Sequence, residues 1–182
     1  MIRRCLPLLL ACALGAQEPS TFGIQLRLSS PSDNLKDTVG GKMGWGGSMG
    51  VESDYEDGWK GRVLLGYDAW GPGNAADQSG LRGKVTAGHI SAEGVRMLGP
   101  EGTRGFTGPY VFLGVGAYGW GVTQTLPSSG GSETRRVAHI AGSAGLGYRF
   151  GPHADLEAKV TSGRVDTKYN ATFLSLGATY RF

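Results

Sequence analysis

His89, Ser91 and Glu93 stand at alternate positions of the stretch HISAE. A hydroxyl, an imidazole and a carboxylate together suggest acyl-transfer chemistry, with a nucleophile, a base and a group that orients the base. In a strand they share one face. The rise of an extended chain, however, sets positions i and i+2 about 6–7 Å apart. That is long for a Ser–His hydrogen bond unless the side chains reach toward each other. The plainer reading is a polar patch near one rim of the fold. A second and larger set is Arg27, Lys42, Glu52, Lys60, Arg62, Asp68, Arg149, Glu157, Lys159 and Arg181, with Gln25 beside them. Each sits among apolar neighbours at alternate positions. Charges of both signs on one face could line a passage for something small, or could pair across strands and fill an interior. Arg27 and Arg181 fall on the first and last strands, which must meet if the sheet closes. Glu157 is the expected partner of Arg181. His139 and His153 have no metal-ligand spacing with other residues. Gly114-Val115-Gly116 lies inside a strand with no helix after it, so it lacks the basis for holding phosphate. No cofactor is expected.

These residues need strands to place them. In Ala171 to Phe182, Thr172, Leu174, Leu176, Ala178, Tyr180 and Phe182 alternate with Phe173, Ser175, Gly177, Thr179 and Arg181. The first face is apolar and ends in two aromatics, while the second is mostly small and polar. About seven earlier segments repeat the theme. They are Thr21–Ser29, Lys42 to about Glu52, Trp59 to about Trp70, Leu81 to about Leu98, Tyr110 to about Thr125, Val137–Phe150 and Asp155 to about Gly163. The fourth is ambiguous: Arg82, Lys84 and Thr86 share a parity with Ile90 and Ala92. A bulge, or a strand that outruns the membrane, would reconcile them. The fifth is apolar on both faces, and its outward side stays open. Polar loops are expected at 30–41, 71–80, 127–136 and 164–170, and shorter turns between them. The 99–109 connection is the exception.

Composition narrows the class. The chain has 182 residues with 33 Gly and no collagen period. No window holds the ~20 apolar residues of a membrane helix. Residues 1–16 read as a cleaved signal peptide, with Arg3 and Arg4 before an apolar run from Leu6 to Leu14. Residues 17–182 form one domain. Cys5 and Cys12 both lie in the leader, so the mature chain carries no thiol chemistry. A rival reading makes Cys12 the lipidated residue of a loose lipobox. Setting aside Arg3 and Arg4 leaves 16 basic residues against 15 acidic ones. That balance gives no reason to expect nucleic acid.

An apolar outward face, a polar inward face and strands of ~9–11 residues describe a β-barrel that crosses a bilayer. The ending LSLGATYRF, with Tyr180 two residues before Phe182, resembles the C-terminal insertion signal of Gram-negative outer-membrane barrels. PYVFLGVGAYGW and GLGYRF support the likeness. Over its mature length the chain is similar to the small OmpA-, OmpX- and OmpW-type outer-membrane proteins. The resemblance implies an all-β fold, an eight-stranded antiparallel up-and-down transmembrane β-barrel in the cell outer membrane. Outer-membrane lipid surrounds it, and Tyr180 and Phe182 address the barrel-insertion machinery. It also implies a structural or surface-interaction role through extracellular loops that meet a ligand or host surface, and no enzymatic activity. The lumen is expected to be mostly plugged by paired charges. Aromatics at strand ends, Trp59, Tyr110, Phe150, Tyr180 and Phe182, are expected in interfacial girdles. Two alternatives stay open. One is a narrow pore or lateral conduit for small hydrophobic solutes. The other is a lipid-modifying enzyme, because His89 and Ser91 resemble the His and Ser of outer-membrane lipid A deacylases. There the pair lies on a late strand, whereas here it is mid-chain.

Overall fold

A computed structural model of the chain describes residues 20–74, 82–99, 101–102, 105–125, 131–165 and 170–182. The barrel strands are β1 Thr21–Ser32, β2 Gly44–Asp54, β3 Trp59–Asn74, β4 Arg82–Met97, β5 Gly108–Thr125, β6 Ser132–Arg149, β7 Ala154–Arg164 and β8 Asn170–Arg181. Each pairs antiparallel with the next. β1 closes on β8, from Gly23 opposite Arg181 to Ser32 opposite Thr172. The result is the expected eight-stranded up-and-down barrel. No described helix is long and apolar enough to cross a membrane. The signal peptide expected over residues 1–16 lies outside the described residues.

Alternation along each strand sets polarity inside out. Leu26, Leu113 and Ile140 on the outer wall are 70%, 71% and 72% exposed, while the inward Arg27 and Asp68 are 4% and 0% exposed. A water-soluble barrel would not leave such a continuous apolar exterior. A wall in hydrocarbon requires it, and closure leaves no unpaired strand edge within the lipid. At the seam the Phe182 amide donates to the Phe22 carbonyl at 3.0 Å, and the two rings lie 5.9 Å apart.

Several expectations change, and β6 already begins at Ser132, inside the polar loop expected at 127–136. The 30–41 segment is not a plain loop. β1 runs on to Ser32, and Asp33–Val39 forms a short helix, α1, that turns Leu35 and Val39 into the barrel mouth. Gly40 ends the helix with φ 63, a left-handed conformation that suits glycine. Lys42 is exposed in the connection ahead of β2 and takes no place in the lumen. Its backbone amide donates to the Val39 carbonyl at 3.4 Å, so Lys42 belongs to the turn that ends α1 rather than to β2. β4 has no bulge. Its pairing with β5 is unbroken from Arg82 opposite Thr125 to Met97 opposite Tyr110. Lys84, Thr86, Ile90 and Ala92 all face outward, so the strand outruns the apolar belt. β5 resolves with Val111, Leu113 and Val115 outward and Tyr110, Phe112, Tyr118 and Trp120 inward. Tyr110 is therefore a buried lumen residue rather than a girdle aromatic.

The wall is uneven at the rim opposite the termini. β3, β4, β5 and β6 extend to Asn74, Arg82, Thr125 and Ser132. β7 stops sooner, and its pairing with β6 ends at Gly163 opposite Ala141.

Candidate functional site

The lumen is occupied in tiers. Nearest the rim opposite the termini lies an apolar tier. Leu35 and Val39 of α1 meet Trp70, Val85, Trp120, Val165 and Phe173 there. The Trp70 and Trp120 rings stack at 6.3 Å, and Phe173 meets Trp70 edge-on at 4.9 Å. Glycine makes room for this. A Cβ on Gly44 would collide with the Trp70 ring.

Below it, Arg27 of β1 grips Asp68 of β3 through two hydrogen bonds, Nε to Oδ1 at 2.6 Å and Nη2 to Oδ2 at 2.8 Å. Its Nη1 also donates to Gln25 and to Ser48 at 3.1 and 3.2 Å. His89 Nε2 lies 2.6 Å from the same guanidinium, and the imidazole stacks on Tyr118 at 4.7 Å.

In the next tier Arg62 donates to Glu93 Oε2 from Nε at 2.9 Å and pairs with Glu157 through Nη1. Lys159 takes the other Glu93 oxygen at 3.2 Å. Gln25 and the Tyr110 hydroxyl donate to Glu157 at 2.8 and 2.7 Å. Arg62 also lies over the Phe112 ring, 5.0 Å from its centre.

The last tier, toward the termini, joins Arg149 and Arg181 to Glu52 and Asp155. Arg149 forks onto Glu52 at 2.9 and 3.0 Å and reaches Asp155 at 3.2 Å. Arg181 contacts Glu52 at 3.4 Å and pairs with Asp155. Lys60 lies 3.8 Å from Glu52 and pairs with the half-exposed Asp54 at the rim.

Of the residues singled out from the sequence, Arg27, Glu52, Lys60, Arg62, Asp68, Arg149, Glu157, Lys159 and Arg181 are all buried in this space. Lys42 is not among them. Arg181 does not take Glu157. Register sets Glu157 opposite Gly177 and Asp155 opposite Thr179, so Asp155 is the nearer carboxylate, while Arg62, Gln25 and Tyr110 hold Glu157. Asp155 escaped notice because it stands beside a turn, and Tyr110 because β5 is apolar on both sides.

His89, Ser91 and Glu93 share the inward face, as their spacing indicated, but at mid-barrel rather than at a rim patch. Each already belongs to a different environment. His89 faces Arg27 and Asp68, Glu93 holds two cations, and the Ser91 hydroxyl has no hydrogen-bond partner. No group of three or more His, Cys, Asp or Glu among the described residues is arranged to hold a metal ion.

The class follows from a closed barrel with a greasy exterior and a charged, packed interior: it is an outer-membrane β-barrel. The sequence model of the family "Outer membrane protein beta-barrel domain" matches residues 5–182, and the chain belongs to that family. The protein resides in the cell outer membrane. No curated protein matches it in sequence. Among solved structures it is similar to Ail, the attachment invasion locus protein of Yersinia pestis. That match has a TM-score of 0.62 at 19% identity, covering 90% of this chain and 97% of that one. It is similar to Neisserial surface protein A with a TM-score of 0.60 at 16% identity, over 91% and 100% of the two chains. The N-terminal barrel of Pseudomonas aeruginosa OprF gives 0.58 at 18% identity, over 91% and 98%. At these identities the likeness is one of fold. Ail has also been solved with the heparin analogue sucrose octasulfate. Barrels of this class carry long loops outside and short turns in the periplasm. By that rule the rim with α1 and the extended β3–β6 ends is the one expected to face outside.

Proposed function

We propose that this barrel is a surface-interaction protein whose lumen is closed to solutes and whose working surface is the extracellular rim. The observation that carries this reading is the two-part filling of the interior. An apolar tier of α1 and ring side chains lies above tiers of paired charge, and an eight-stranded barrel has an interior only about wide enough for side chains. Among the described residues six buried cations, Arg27, Lys60, Arg62, Arg149, Lys159 and Arg181, meet five buried carboxylates, with Asp54 at the rim as a sixth. Near-neutral pairing favours packing over a selective passage, which would leave one sign in excess. Catalysis is disfavoured by the same burial. His89 and Ser91 face the lumen, away from the lipid that a modifying enzyme would attack. The 1–16 segment is proposed to direct export, and Tyr180 and Phe182 to engage the insertion machinery.

The partner class we favour at the rim is a sulfated or phosphorylated glycan. Ail, a protein of the same fold, was crystallised with a heparin analogue. In this chain Lys84 and Arg136 are exposed on the outward side of the extended β4–β6 ends. The test is retention of the nanodisc-embedded protein on immobilised heparin. Salt-sensitive retention that falls in Lys84→Ala/Arg136→Ala supports the reading, and no retention at low salt removes the glycan from it.

A further inference from the structure

The outer wall is hollow where β4 approaches the rim nearest the termini. The outward residues of β4 there are Ala92, Gly94 and Arg96. Register places them beside Val63, Gly61 and Trp59 of β3, and beside Val115, Leu113 and Val111 of β5. A Cβ on Gly94 would meet nothing within 4 Å beyond its chain neighbours. The result is a groove of about 480 Å³. Ala92 and Gly94 form its floor, Tyr55 and Val63 rise on one side, and Leu113 and Val115 on the other. Tyr55 can lie over Gly61 because that position has no side chain; a Cβ there would strike the ring. The volume falls within the about 300–1,000 Å³ of ligand sites.

Arg96 stands at the end of this groove. Its guanidinium lies 5.5 Å from the centre of the Trp59 ring and donates to the Asp57 carbonyl in the turn Glu56–Gly58. That hydrogen bond uses one of five N–H donors. Among the described residues no carboxylate pairs with Arg96. Asp57 itself is exposed. The exposed Trp59 and Phe182 rings at this end mark the level of the lipid head groups. From Arg96 to Ala92 the strand rises about 13 Å, so the groove runs from that level into hydrocarbon.

We propose that the groove and the guanidinium form a site for one phosphatidylethanolamine molecule of the leaflet nearest the termini. An acyl chain lies in the groove, the phosphate meets Arg96 and the ammonium meets Asp57. A planar guanidinium matches two phosphate oxygens at once. A primary ammonium brings three N–H donors to the carboxylate, as a lysine does. A choline head has a cation without N–H, and a glycerol head has no cation, so both leave Asp57 unmatched. A larger hollow, of about 830 Å³, surrounds Ala158 and Ala178 on the wall of β7, β8 and β1. No outward cation among the described residues borders it, so it takes acyl chains without selecting a head group. The ethanolamine site lies on the lipid-facing wall and is independent of what the far rim binds.

The test is native mass spectrometry of the protein ejected from nanodiscs that hold equal amounts of phosphatidylethanolamine, phosphatidylglycerol, phosphatidylcholine and lipid A. One phosphatidylethanolamine is expected to stay bound after the other lipids have left. Its retention should fall at least about tenfold in Arg96→Ala. Asp57→Asn should remove the preference for ethanolamine over glycerol while a phospholipid is still held; Asn tolerates the left-handed φ of 59 at this position. Gly94→Leu fills the groove from an open outward position and should reduce retention whatever the head group. Heat-modifiable gel mobility verifies that each variant is folded. Equal retention of the three phospholipids by the native chain overturns the proposal, because that is annular lipid alone. So does ethanolamine retention that survives Arg96→Ala in folded protein. Preferred retention of lipid A overturns it as well, since that would be a site for phosphate without the ammonium.

Discussion

Arg27 and Asp68 face each other across β2, two strands apart, and are joined by parallel hydrogen bonds of 2.6 and 2.8 Å with both side chains almost wholly buried. The pair ties the closing seam of the barrel to the third strand. Burying two charges costs several kcal/mol per ion before pairing offsets it, so its net contribution is small beside the penalty for leaving one partner alone. Asp68→Ala should therefore destabilise the barrel by about 3–5 kcal/mol, and Arg27→Met with Asp68→Leu by much less. Urea unfolding followed by tryptophan fluorescence compares the single and double variants. A double variant that loses as much as Asp68→Ala or more would show that the uncompensated charge is not what destabilises the single variant.

Lys42 and Arg62 make a contrast. Both were expected in the lumen from the sequence. Lys42 is exposed outside the barrel wall, while Arg62 lies between Glu93 and Glu157. Lys42→Ala should change stability by no more than about 0.5 kcal/mol. Arg62→Ala should cost about 3–5 kcal/mol, because two carboxylates lose their shared cation. The same unfolding assay reads both.

The strand alternation made most of the wall legible in advance. β1, β3, β6, β7 and β8 each carry a clear apolar parity, and that parity is the outer wall. α1 was not legible. It is short and offers only Leu35 and Val39, one turn apart, within a polar stretch that reads as a loop. β5 was ambiguous because its inward face supplies Tyr118 and Trp120 to the apolar tier, so both faces are greasy. The early start of β6 was hidden for the opposite reason. Beyond the lipid its outer face meets water, and Glu133, Thr134, Arg135 and Arg136 look like a loop. Partner choice across the lumen depends on strand stagger, which alternation does not encode. The Arg181 pairing was missed for that reason.

Gly147 faces inward beneath Tyr110, and a Cβ there would strike the ring and its hydroxyl. Tyr110 holds Glu157 and so cannot simply swing away. Gly147→Val should lower the yield of folded barrel, whereas Ala144→Val on the outward face of the same strand should not. The fraction of heat-modifiable protein after refolding into micelles measures both.

Phe182 closes the seam through its amide and its ring contact with Phe22. Removing Phe182 should slow insertion and reduce the assembled fraction in the outer membrane, with Phe182→Tyr retaining most of it. Pulse-labelling followed by fractionation reads the rate. Insertion of the truncated chain at the full rate would remove the proposed role of this residue.

His89→Ala should leave the lipid A mass profile of the host cells unchanged, because the imidazole points into the charge tiers and away from lipid. A shifted profile on expression of the native chain that disappears in His89→Ala would make the protein a lipid-modifying enzyme.

Single-channel recording in planar bilayers is the most direct measurement of whether the interior is closed. The native protein should give a flat baseline, and Trp70→Ala/Trp120→Ala with Arg62→Ala should give resolved openings as both kinds of filling are removed. Stepwise, ion-selective conductance from the folded native protein would contradict a closed lumen and restore the pore.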